Sequence, residues 1–364
     1  MAAWKRKGGL EPFRQRLLDG MTARGYKAEY AEQIYQMTKG FGEYGFPESH
    51  SASFALLVYV SSWLKCHEPA AFCAALLNSQ PLGFYTPSQL VQDVQRHNVE
   101  VRPVDVCASE WHSTLEPGED GEPAVRLGLH MVKGLSQSGG QRLLQARQQR
   151  CFANSDDFFQ RSQLNKRDLN CLSEANALST LAGHRRLALW QTLGLVPDTS
   201  KDKPSLALPL SSTERKSSQP DLLPPTEGEN LVADYRRLGL TLGRHPLALL
   251  RPKLSSMQLK TADDVNHARH QQSIYVAGIV TCRQRPGTAS GVMFVTLEDE
   301  TGTINVVVWS SLVERQRREL LNSQLLGVHG IVEKKDNMVH LVAGRLFDHS
   351  HFLGSLELPS RDFH

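Results

Sequence analysis

Two-metal phosphoryl transfer needs acidic side chains converging on one rigid site, and three acidic clusters are available: Asp156-Asp157, Asp263-Asp264 and Glu298-Asp299-Glu300. The first two stand where helices are expected to start, and there carboxylates satisfy free N–H groups and the helix dipole. The third falls in an expected turn between strands. All three therefore read as structural. The 14 histidines show no HExxH or other tight ligand spacing. Cys66 and His67 are neighbours on an expected helix, where adjacent side chains diverge by about 100° and seldom chelate together. There is no P-loop and no GxSxG. Accordingly no catalytic residue, metal site or cofactor is expected in this chain.

Nucleic-acid chemistry is left, in three places. In Val132-Lys133-Gly134-Leu135-Ser136, a glycine-bearing turn opening a helix would present backbone N–H groups to a phosphate, with Lys133 adding charge. The bland reading of Gly134 is a turn between helices. A second hairpin at Leu164–Arg167 would pair with the first, and Arg161, Lys166, Arg167, Arg185 and Arg186 would supply cations. Residues 141–187 hold eight Lys or Arg against four Asp or Glu, which reads alternatively as a solvated face. The third place is a β-rich surface. Alternation over 292–297 makes Met293, Val295 and Leu297 the core set and leaves Phe294 outward, where bases can stack. Tyr275 and Trp309 could share that face, flanked by Arg283, Arg285, Lys334 and Lys335, although aromatics are commonly buried.

The elements that must position these residues change along the chain. Its 364 residues carry 41 Lys+Arg against 38 Asp+Glu, a net charge of +3, which excludes a wholly basic coat but not a local basic stripe. The longest apolar run, Phe54 to Leu64, is about half of the roughly 20 residues a bilayer span needs. The basic start lacks the apolar region of a signal peptide, and the six scattered cysteines read as reduced thiols, so a cytoplasmic location is expected. Helices are expected over 12–20, 28–38, 52–65, 69–78 and 88–97; in the third, Leu56, Tyr59, Val60, Trp63 and Leu64 share a face and read as core. Residues 197–230, with six prolines and no aromatic, read as a mobile linker. Five strand-like runs follow (273–283, 292–297, 303–309, 324–334, 338–345), with a helical insert at 312–321 between the third and fourth. That is the order of an OB-fold barrel.

From Phe41-Gly42-Glu43-Tyr44-Gly45-Phe46-Pro47-Glu48-Ser49-His50 through Trp63-Leu64-Lys65, the sequence resembles the fingers of bacterial family C DNA polymerases, the DNA polymerase III α-subunit class. The start MAAWKRKGGL and Leu77–Tyr85 are most similar to its error-prone, damage-inducible branch. Val101–Val106, Ser109-Glu110-Trp111, Arg126–Leu129 and Lys133-Gly134 resemble the tandem helix-hairpin-helix region, and Leu181–Arg186 its close. Leu238-Gly239-Leu240 and Gly243–Pro246 resemble the lead-in to the OB domain.

The resemblance implies an α+β multidomain chain: 1–85 the C-terminal part of the fingers, 86–195 the helix-hairpin-helix domain, 196–230 a flexible linker, 231–270 a connecting helical segment, 271–350 the OB-fold and 351–364 a tail. It places Tyr44, Ser49 and His50 near the incoming nucleotide, with Pro47-Glu48 where replicative relatives usually have Asn-Lys. The family's metal-binding palm matches nothing here, so the chain is expected to be an inactive C-terminal fragment of a polymerase that uses Mg2+ at full length. Duplex and single-stranded DNA and translesion accessory proteins are the implied partners. Gln219-Pro220-Asp221-Leu222-Leu223 resembles the family's sliding-clamp peptide, and a chance match in a Ser/Pro-rich linker reads these residues equally well. The alternatives are a non-catalytic OB and hairpin scaffold or loader, and a tRNA-binding appendage.

Overall fold

Helix starts follow the capping residues. Thr86 accepts from the Gln89 N–H while the Gln89 side chain accepts from the Thr86 N–H, with Pro87 in the first helical position. Thr226 with Glu229 and Thr261 with Asp264 repeat the arrangement. The computed structural model describes residues 13–44, 48–82, 85–119, 121–195, 222–286, 291–335, 338–356 and 361–363. It separates into two units, Met1–Pro69 and Ala70–His364.

The first unit holds α1 (Arg14–Thr22), α2 (Ala28–Tyr44) and α3 (Glu48–His67). Arg14 ties α1 to α2 by pairing with Glu32 at 2.7 Å and lying over the Tyr35 ring. The stripe expected to be core in α3 is instead exposed, Tyr59 at 69% and Leu56 at 65%. The reason is twofold. Leu57 and Val58, off the stripe, are apolar and exposed as well, so the apolar residues of the helix are not confined to one side. Moreover, only Ala31 and Tyr35 are buried hydrophobics among the described residues of this unit.

The second unit begins with α4 (Pro69–Asn78) and α5 (Pro87–Arg96), followed by a small sheet of β1 (Val101–Arg102), β2 (Thr114–Pro117) and β3 (Pro123–Arg126) in the order β1-β3-β2. Then come α6 (Gln137–Gln149), α7 (Ser155–Ser162), α8 (Lys166–Glu174), α9 (Ser179–Ala182) and α10 (Arg185–Leu195). Their shared core includes Leu77, Val94, Leu127, Leu143, Phe158 and Leu172. Leu77 of α4 therefore packs with the hairpin domain, although that helix was grouped with the preceding ones. Glu116 bridges Arg126 and Arg102 across the small sheet, and these guanidiniums hold its carboxyl below the usual range.

α11 (Glu227–Arg237), α12 (Pro246–Ser256) and α13 (Ala262–His267) lead into the barrel: β4 (Ser273–Gln284), β5 (Met293–Asp299), β6 (Gly302–Val308), α14 (Ser310–Arg315), α15 (Arg317–Asn322), β7 (Leu325–Lys335), β8 (Met338–Asp348) and a short β9 (Arg361–Phe363). Five strands run β5-β6-β8-β7-β4, and β4 closes the ring by pairing with β7 through its first half and β5 through its second. This is the expected OB order, with the helical insert where it was expected. Met293, Val295 and Leu297 point into the barrel and Phe294 points out, as the alternation requires. α11 starts within the stretch read as linker; residues 196–221 lie outside the described residues.

The acidic clusters are structural. Asp157 pairs with Arg150 and Arg161, and Asp264 closes its helix cap. Asp299 accepts from the Thr301 and Gly302 N–H groups of its turn and from Ala262 N–H, while Glu300 pairs with Arg251.

Candidate nucleic-acid interface

Both hairpins form, but they differ in which backbone donors are open. At the first, Gly134 takes the left-handed φ of +91° that the turn requires. Two of the N–H groups meant for phosphate are nevertheless engaged within the protein. Lys133 N–H donates to the Arg237 carbonyl at 2.8 Å. Ser136 N–H donates to Asp168 Oδ1 at 2.9 Å, and the Ser136 hydroxyl to Asp168 Oδ2 at 2.7 Å. Asp168 is fully buried, and a Cβ on Gly139 would stand 2.4 Å from its Oδ2, so only glycine lets the carboxylate approach the start of α6 this closely. An internal carboxylate thus takes the place assigned to a phosphate at Ser136, and a backbone carbonyl takes it at Lys133. The Lys133 ammonium reaches the Tyr235 carbonyl at the C-terminal end of α11, 3.5 Å away. Asp168 was not singled out from the sequence. The paired Gly139-Gly140 is the signal of close approach, since a Cβ on Gly140 would meet the Trp111 ring at 2.4 Å.

The second hairpin is open. α7 ends with Gln163 at a φ of +48°, and Asn165 caps α8 by accepting from Asp168 N–H at 2.8 Å. Lys166 and Arg167 occupy the exposed first turn of α8 and make no hydrogen bond or ion pair among the described residues. The positive end of the helix dipole and two unpaired cations therefore face solvent together. The other cations of the expected stripe are turned elsewhere. Arg185 is buried, donating to the Glu174 carbonyl and Asp234. Arg186 holds the Leu223 carbonyl and Glu229, and Arg161 donates to the Ala146 and Arg150 carbonyls that end α6.

The barrel presents an outward apolar row set by strand register: Phe294 opposite Val307, Val307 opposite Val342, Val342 opposite Ile331, and Ile331 opposite Ser273. Phe294 is 40% exposed and Trp309, just beyond β6, 55%. The Arg285 guanidinium lies beside this end of the row, 3.8 Å from where a Cβ on Gly291 would stand, with Ser310 at 3.4 Å from the same point. Lys335 is exposed and unpaired among the described residues, whereas Lys334 donates to the Asn266 carbonyl. Arg283 departs from the expectation. It is buried and donates to the Leu320 and Ser323 carbonyls, fastening the end of α15. Tyr275 is half-buried against Phe347 and His349. Burial, then the His351 charge, holds His349 below its ordinary value, and its Nε2 is hydrogen-bonded with the Tyr275 hydroxyl, 2.8 Å away. Ile331, Val342 and Arg345, the last over the Phe347 ring at 5.0 Å, belong to this outward surface and were missed from sequence. Their signal is register rather than composition.

Tyr44 ends α2 and Ser49 and His50 open α3, but their side chains lie outside the described residues, as do Gln219 and Asp221. The Leu222 and Leu223 carbonyls meet His184 and Arg186, with the Leu223 side chain exposed. Among the described residues no group of His, Cys, Asp and Glu could hold a metal ion, and no helix is long and apolar enough to cross a membrane.

Fold and surfaces together define a nucleic-acid-binding protein of helix-hairpin-helix and OB-fold modules. Residues 98–188 match the helix-hairpin-helix motif family and residues 274–348 the OB-fold nucleic acid binding domain family. Over all of its length the chain is 56% identical to the error-prone DNA polymerase of Alkalilimnicola ehrlichii, 53% to that of Aromatoleum aromaticum and 50% to that of Methylococcus capsulatus. It covers 35%, 34% and 36% of those proteins, about a third of each. Along its whole length the chain is therefore similar to about a third of an error-prone DNA polymerase.

Proposed function

We propose that this chain is the DNA-handling portion of an error-prone polymerase that carries out DNA-templated synthesis across damage in the cytoplasm. Nucleotide addition, with Mg2+ held by palm carboxylates, belongs to the remaining length of such a protein. One observation carries the reading: an open cationic hairpin and an outward aromatic row stand in the same unit, suited to duplex backbone and to single-strand bases respectively. In this reading Tyr44, Ser49 and His50 lie near the incoming nucleotide, accessory proteins of translesion synthesis are partners, and the peptide at 219–223 is a candidate clamp contact.

A primer-extension assay tests the division of labour. The full-length protein with primed template, nucleotides and Mg2+ is expected to extend the primer, and this chain alone to bind the template without extending it. Extension by the chain alone would overturn the assignment of catalysis elsewhere.

The hairpin has its own test. Replacing Lys166 and Arg167 with Glu should weaken duplex binding and reduce the log–log salt slope by about 2, since each phosphate contact contributes roughly 0.9. An unchanged slope in a salt-titrated anisotropy experiment would reject the second hairpin as the grip.

A further inference from the structure

α11 belongs to both halves of the larger unit. Toward the hairpins, Asp234 receives Arg185 at 2.5 Å and Arg237 donates to Glu174 at 2.6 Å. Toward the barrel, Leu231 and Tyr235 pack with Ala277, Ile279 and Leu325. A direct tie runs beside it. Gln92 Nε2, on α5, donates to Glu298 Oε1, near the end of β5, at 3.0 Å, and His245 Nε2 stands 3.3 Å from the same oxygen. Glu298 is buried, so this clasp is shielded from competing water.

Two binding modules on a free tether meet a common ligand at an effective concentration diluted by every orientation the tether allows. Modules held in one matching geometry avoid that dilution. We infer that Gln92 and Glu298, acting with α11, are positioning residues that hold hairpins and barrel in a single register, so that a nucleic acid touching both is bound as by one continuous site. The inference rests on the nucleic-acid reading above. Neither residue touches the ligand in it; they act through the placement of the surfaces that do.

The test uses the whole chain and three probes: a blunt duplex, oligo(dT), and the same duplex with a single-stranded overhang. Wild-type protein is expected to bind the overhang probe on the order of 100-fold more tightly than either separate probe. Gln92→Ala with Glu298→Ala should reduce overhang binding about tenfold while leaving the other two affinities unchanged, and Glu298→Gln, which keeps an acceptor for Gln92, should retain wild-type behaviour. Alanine is the best helix former, so Gln92→Ala alone leaves α5 intact and serves if the double variant folds poorly. An unchanged overhang affinity, or an equal fall with all three probes, overturns the inference. Wild-type protein that binds neither separate probe refutes the nucleic-acid reading itself, whereas binding to both with no gain from the overhang refutes only the positioning role.

Discussion

Asp168→Ala should destabilise the larger unit by about 3 kcal/mol, because it strips a buried carboxylate from two hydrogen bonds with Ser136 and leaves the N–H and hydroxyl of this residue, which caps α6, without their acceptor. For a unit of this size that corresponds to a fall in melting temperature of roughly 6 to 12 °C. Asp168→Asn keeps one carbonyl acceptor and should lose about half as much. The substitution also vacates an anion site at a helix N-terminus. Sulfate or inorganic phosphate should therefore raise the melting temperature of the alanine variant more than that of the wild type. A variant that melts like the wild type, with no difference in its response to sulfate, would show that the internal carboxylate does not close the first hairpin.

Phe294→Ala combined with Trp309→Ala should lower affinity for oligo(dT) by roughly 2 to 6 kcal/mol, taking about 1 to 3 kcal/mol for each stacked base. Both rings are substantially exposed, so stability should hardly change, and circular dichroism melts separate lost binding from lost folding. The Phe294 variant alone should show roughly half of the effect. If oligo(dT) binds the double variant as tightly as the wild type, the outward row is not a stacking platform.

The barrel was legible because its strands alternate. Met293, Val295 and Leu297 against Phe294 and Thr296 fix which face is inside, and a slip of one residue would reverse both sets. The cations were harder to read. Lys166 and Arg185 look alike in a basic stretch, yet Arg185 is drawn inward by a carbonyl in α8 and a carboxylate in α11, and Arg283 by carbonyls about 40 residues away. Local sequence carries no trace of such partners. The same limit explains the first hairpin, whose turn was read correctly while the acceptor at Ser136 came from α8, two helices further along. With α3, the apolar run speaks for burial but says nothing about which surface would bury it.

The clasp and the strut of α11 have a bearing on how chains of this kind can diverge. Because side-chain bonds set the spacing of hairpins and barrel, the number of residues running from α10 to α11 need not. Doubling the length of a loop costs only roughly 0.6 kcal/mol, so that stretch can gain or lose residues over evolutionary time at little penalty. Natural selection would then act as a ruler on Asp234, Glu174, Gln92 and Glu298, and leave the connecting length to drift.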